Sequence, residues 1–140
     1  MIMRRHHGKN RLPSLLLTSG IRPTRQRLAL AALLFDGVKK HMTAEQVHAL
    51  ARRNRAHISL ATVYNNLHQF TAAGLLREVP VGHNRSVFDT NTEAHCHTFD
   101  EVTGLLHDIP SDAVHLSRVP KPPMGRKVAR VDIVIRLAAV

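Results

Sequence analysis

Ser59 and Gly74 bracket the stretch that most restricts the fold. Between them Leu60, Val63, Leu67 and Phe70 recur at steps of three and four residues, so residues 60–73 form a helix with one buried face. Ser59 is a good N-cap type, and Gly74 supplies the left-handed residue at which such a helix stops. Thr62, Asn65, Asn66, His68 and Gln69 fall largely off the apolar face, which leaves a polar, uncharged side. Earlier segments carry similar punctuation. Residues 12–19 make a short helix ended by Gly20. Thr24 caps a second helix, mostly buried through Leu28, Leu30, Ala31, Leu33, Leu34 and Phe35, with Arg22, Arg25 and Arg27 on its basic side. Thr43, Ala44, Glu45 and Gln46 have the capping-box form and open a helix that ends near Arg53.

Two strand patterns follow, residues 75–79 and 86–88, joined by a turn through Gly82, His83 and Asn84. Helices followed by a two-stranded wing make a winged helix-turn-helix, with residues 60–73 in the position that enters the major groove. Beyond Asp89 the pattern changes. Residues 95–99 and 105–109 are short strands around a turn at Thr103 and Gly104, and residues 111–116 form a helix capped by Ser111. Pro120, Pro122 and Pro123 break the chain, and Val131, Ile133, Ile135 and Leu137 alternate with polar neighbours as a last strand. A sheet of about three strands with little helix cover buries too little apolar surface alone, so it is expected to pair with a second copy. The expected class is α+β: a flexible basic arm over 1–11, a winged-helix DNA-binding domain over 12–89, and a small α/β metal-sensing dimerisation domain over 90–140.

The charge distribution agrees with that division. Residues 1–80 hold thirteen Lys/Arg against three acids, whereas residues 81–140 hold seven of each, so the whole +10 excess lies in the first half. Segregation of this kind suits a face that neutralises phosphates. No signal peptide or membrane-length apolar run is present, which predicts a cytoplasmic protein without a membrane partner. The single cysteine, Cys96, excludes an intrachain disulfide and an all-cysteine zinc knot. Around it, Asp89, His95, Cys96, His97 and Asp108 place five metal-capable side chains within twenty residues.

Ser59, Leu60, Ala61, Thr62, Val63, Tyr64, Asn65, Asn66 and Leu67, followed by Gly74, Leu75 and Leu76, resemble the recognition helix of the ferric uptake regulator (Fur) family. The run from Gly20 to Arg27 is similar to that family's approach to its second helix, and the resemblance covers residues 12–137. In the peroxide-sensing branch, the matching positions imply a regulatory metal held by His41, Asp89, His95, His97 and Asp108. Most members also hold a structural zinc on two Cys-x-x-Cys pairs, the first of which would fall at Asp100 and Thr103, so no structural four-cysteine zinc is expected here. The runs 87–92, 108–110 and 129–137 resemble the iron response regulator (Irr) branch, which implies a haem- or metal-responsive regulator of iron and haem genes. That branch usually shows three successive histidines where this chain has His95, Cys96 and His97, the candidate haem ligands.

Two imidazoles spaced by one residue on a strand share a face, while Cys96 points to the other. Imidazoles with carboxylates and no thiolate suit Fe(II), Mn(II) or Zn(II). An ion drawing on His41 and Asp89 from one half and His95, His97 and Asp108 from the other would fix the angle between the halves. On the DNA side, Arg22, Arg25 and Arg27 are expected to meet phosphates, and Ser59, Thr62 and Asn65 base edges or phosphates. Tyr64 would stack on a thymine methyl or bond a phosphate, or act as a half-buried helix residue. A neutral helix flanked by arginines suits an A·T-rich, two-fold duplex site bound by a homodimer. Two alternatives stay open: a peroxide sensor in which Fe(II) and peroxide oxidise His95 or His97, and a metalloenzyme using His95, His97 and a carboxylate on an open ion.

Overall fold

A computed structural model describes residues 11–140. The expected arm lies outside these residues except for Arg11, which is the first residue of helix α1 (Arg11–Thr18). Helices α2 (Arg25–Leu34), α3 (Ala44–Arg53) and α4 (Leu60–Ala72) follow, with strand β1 (His41–Met42) before α3. Strands β2 (Arg77–Gly82) and β3 (Arg85–Asp89) complete a first compact unit that ends at Thr92. A second unit, Glu93–Val140, holds β4 (Cys96–Asp100), β5 (Leu105–Ile109) and β6 (Val134–Leu137). The class is α+β, with an N-terminal winged helix-turn-helix.

Each of α2, α3 and α4 has its start set by a side chain. Thr24 and Ser59 accept from the backbone N–H three residues on, and Thr43 and Gln46 form the complete reciprocal capping box. Three helices end in the same paired-bond motif. After α4 the Leu75 N–H donates to the Phe70 carbonyl at 2.9 Å and the Gly74 N–H to the Thr71 carbonyl at 3.0 Å, with Gly74 left-handed at φ +80°. After α1, Ile21 and Gly20 repeat it. After α3 the left-handed position is taken by Arg55, at φ +60°. A non-glycine residue there costs roughly 1–2 kcal/mol, against roughly 0.5–1 kcal/mol of chain entropy that glycine would lose. Arg55→Gly is therefore expected to raise stability by about 0.5–1 kcal/mol, read as a higher urea midpoint; an unchanged or lower midpoint would refute it.

The helices close over Leu16, Leu30, Leu34, Val47, Val63, Leu67 and Phe70, and Phe88 of β3 joins them. The strand order is β1-β3-β2, all antiparallel. The β2–β3 hairpin turns through His83 and Asn84, both left-handed at φ +52° and +56°, as the twist of a two-residue hairpin loop requires. The first wing strand starts at Arg77 rather than residue 75, because Leu75 is committed to the α4 cap.

In the second unit β4 is central, antiparallel to β5 and parallel to β6. Two sequence expectations change. Residues 111–116 form no α-helix; a single 3-10 turn, Ser111–Ala113, stands there, with no side-chain cap and Val114 already extended. The last strand is confined to Val134–Leu137, which pairs in parallel with His97–Asp100 of β4. Among the described hydrophobic residues of this unit only Leu106 is buried, and Leu105, Val131, Ile135 and Leu137 stay substantially exposed.

Candidate metal centre and nucleic-acid interface

In the first unit, β3 lies between β1 and β2 and places Asp89 opposite His41 on one side and Arg77 on the other. Directly opposed residues in a sheet share a face. Asp89 is fully buried; its Oδ2 lies 3.1 Å from His41 Nε2, and its Oδ1 accepts the Asn91 N–H at 2.8 Å. The carboxylate is thus fixed by backbone on one oxygen and faces an imidazole with the other. β1, only two residues long, is the element that sequence reading did not find; it is what brings His41 there.

The second unit assembles its own cluster. Asp108 Oδ1 lies 3.0 Å from His95 Nε2 and 3.2 Å from His97 Nε2, and the two rings sit 4.3 Å apart between centroids. Register explains it: β4 pairs His97 with Asp108, and His95 stands two residues earlier, just before the strand begins. His97 is buried on β4, whereas Cys96, half-buried, opposes Ile109 and alternates to the other face. His95 Nδ1 lies against the Glu93 carbonyl, which only accepts, so the contact is a hydrogen bond when Nδ1 carries the proton, and Nε2 is the nitrogen that faces the Asp108 carboxylate. Two acceptors at that distance need a cation between them, a proton or a metal ion, and the carbonyl that orients the ring is the usual support of a metal-bound histidine.

Of the residues expected at DNA, Arg22, just before α2, and Arg25, its first residue, are exposed. Ser59 is spent on capping: its Oγ accepts the Thr62 N–H at 3.2 Å and donates to Thr62 Oγ1 at 2.9 Å. Asn65 is exposed on α4, facing a groove shared with Thr24, Arg25 and Thr62. Tyr64 is half-buried, and its hydroxyl donates to Glu45 Oε1 at 2.8 Å. That bond raises the Tyr64 pKa, with burial and the Glu45 charge adding to it. Glu45 is held below the usual carboxylate range by its own backbone N–H first, then by Tyr64.

Arg27 differs from the other arginines. Its Nε donates to Asn66 Oδ1 at 3.2 Å, Nη2 to Gln69 Oε1 at 2.7 Å and Nη1 to the Arg22 carbonyl at 3.0 Å. Asn66, which sequence reading placed largely off the apolar face, is buried. Its spacing from Val63, Leu67 and Phe70 (three, one and four residues) is the helical clue that would have found it.

The family model for the ferric uptake regulator family matches residues 18–130. A peroxide-responsive repressor, PerR, of Staphylococcus saprophyticus is 36% identical over 93 residues, covering 66% of this chain and 62% of that protein. The chain thus matches somewhat under two thirds of that relative's length. Among solved structures, the ferric uptake regulator of Pseudomonas aeruginosa with manganese aligns at TM-score 0.69 and 24% identity over 91% of this chain and 97% of that one. The Vibrio cholerae ferric uptake regulator aligns at TM-score 0.71 and 21% identity, over 91% and 98%. At such identities these two establish the fold.

Proposed function

Because this chain belongs to the ferric uptake regulator family, we propose that it is a metal-responsive, DNA-binding transcriptional regulator that acts as a homodimer. Its targets on this reading are iron, haem or manganese homeostasis genes, with the chain nearest to the iron-response branch. The observation that carries the proposal is the convergence of His95 Nε2 and His97 Nε2 on one Asp108 oxygen, in a chain whose other half is a basic winged helix. His41 and Asp89, which meet at the end of the wing, supply the remaining ligands.

The donor set fits a divalent ion: each of the five residues offers an imidazole nitrogen or a carboxylate oxygen, and no thiolate is among them. Such a set suits Fe(II), Mn(II) or Zn(II). When bound, the ion supplies a positive centre that holds imidazoles and carboxylates in one arrangement. An ion held by both sets would couple the winged helix to the second unit and so would select the separation of the two α4 helices in a dimer, which would set fit to a two-fold site. Exposed Leu105, Ile135 and Leu137 favour the second unit's sheet as the face that pairs with another copy. Cys96 alternates away from His97 on β4, so the thiol and that imidazole do not share a face of the strand. On the DNA side Arg22 and Arg25 meet phosphates, and Thr62 and Asn65 face the groove of an A·T-rich duplex.

The test is duplex binding by the purified chain in a chelator and then in Mn(II), Fe(II) or Zn(II), with a parallel haem titration read in the Soret region. At least one ion is expected to tighten binding about 5- to 150-fold, the usual range of such couplings. Equal affinity under every metal condition would refute metal response; no binding at low salt would refute the DNA reading; a stoichiometric Soret band with no metal effect would favour haem. A second reading draws on the name of the staphylococcal relative, a peroxide-responsive repressor. It predicts a +16 Da adduct on His95 or His97 after Fe(II) and peroxide, and an unmodified tryptic map removes it.

A further inference from the structure

Each of the three nitrogens of the Arg27 guanidinium donates to one of this chain's own acceptors, which uses three of its five N–H groups. Nε and Nη2 grip Asn66 and Gln69, three residues apart on α4, while Nη1 holds the carbonyl of Arg22 just before α2. Asn66 is buried, and its amide donates to the Thr62 carbonyl at 2.9 Å, so the bond network runs from α2 through Asn66 into the first turns of α4. A planar fork on two side chains of one helix resists both rotation of that helix about its axis and sliding along it. A lysine in the same place offers one point of attachment and resists neither.

We propose that Arg27 is a positioning residue for α4 and not a phosphate contact: it fixes the helix orientation in which Thr62 and Asn65 face the duplex. Asn66 and Gln69 belong to the same clamp, so their side chains are not base readers. The inference rests on the DNA-binding reading above and adds a division of labour among three arginines. Arg22 and Arg25 supply charge, and Arg27 supplies geometry.

The experiment uses the full chain and a duplex selected by the wild-type protein from a random pool, with a scrambled duplex as control. Arg27→Met and Arg27→Lys are each expected to lose about tenfold in affinity on the selected duplex, the equivalent of one good hydrogen bond, and under about twofold on the scrambled one. Arg25→Met, the phosphate control, is expected to weaken both duplexes alike and to make the salt slope shallower by about 0.9. Asn66→Ala combined with Arg27→Met is expected to cost little more than either alone. The proposal is overturned if Arg27→Lys binds within about twofold of wild type while Arg27→Met shows the shallower slope of a lost phosphate contact. Should the wild-type chain select no duplex, the functional reading falls, and urea unfolding of the same variants still decides the clamp. Non-additive losses at Arg27 and Asn66 support it, and additive losses overturn it.

Discussion

Phe70→Ala is expected to lower the unfolding free energy of the first unit by about 3–5 kcal/mol, a large share of the roughly 5–15 kcal/mol that holds a domain folded. Phe70 is fully buried, its ring packs against Phe35 at 5.8 Å between centroids, and it sits where α4 meets the core of Leu16, Leu30, Leu34 and Leu67. Truncation removes the transfer free energy of the ring and leaves a cavity in the core that the surrounding side chains fill only in part. Phe70→Leu retains most of the volume and is expected to cost well under half as much. Val102→Ala, on an exposed turn of the second unit, is the control and is expected to stay within about 0.5 kcal/mol. Urea titration followed by the fluorescence of Tyr64, the only tyrosine, reads the first unit specifically. A Phe70→Ala loss below about 1.5 kcal/mol would show that this core is not the close-packed one described.

That core was legible in the sequence because it is built from local codes. Thr24, Thr43 and Ser59 start helices, Gly20 and Gly74 stop them, and the three- and four-residue steps of Leu60, Val63, Leu67 and Phe70 name the buried face. What the sequence did not reveal depends on partners distant along the chain. β1 has two residues and no propensity of its own; it exists because Asp89 and Phe88, far along the chain, offer it hydrogen bonds. β6 is likewise shorter than the apolar alternation of residues 131–137, since only Val134–Leu137 pairs with β4. Residues 111–116 carry a capping serine, yet the chain turns extended at Val114, so the cap residue alone did not make a helix.

Polar pairings were the least readable. Arg27 looks from the sequence like one more phosphate-binding arginine, and only its bonds to Asn66, Gln69 and the Arg22 carbonyl reveal an internal commitment. Tyr64 and Glu45 lie on different helices, and nothing in their spacing of nineteen residues announces the bond between them. The metal-capable residues stand between these cases. Their types and strand alternation were visible, but the meeting of His41 with Asp89, and of His95 and His97 with Asp108, is a matter of register.

Asp108→Asn is expected to abolish most of the metal response while leaving the fold in place. The Asp108 side chain is 38% exposed, so an amide of the same shape neither opens a cavity nor buries an unmet group. Yet its Oδ1 is the atom on which both imidazoles of the second unit converge. An amide oxygen is a much weaker donor to a divalent ion than a carboxylate, and the ion also loses one neutralising charge. Metal affinity by calorimetry is expected to fall by at least about 100-fold, equivalent to about 2.7 kcal/mol, more than is usual for a residue that only supports a ligand. Linkage then fixes the effect on DNA. Whatever factor the ion contributes to duplex affinity in the wild type is expected to shrink in Asp108→Asn at a metal concentration that saturates the wild type but not the variant, while binding in chelator stays as it was. A variant that lost duplex binding equally with and without metal would point to a folding defect instead. One that kept full metal affinity would show that the cluster of His95, His97 and Asp108 is an ordinary ion pair and that the metal reading of the second unit is wrong.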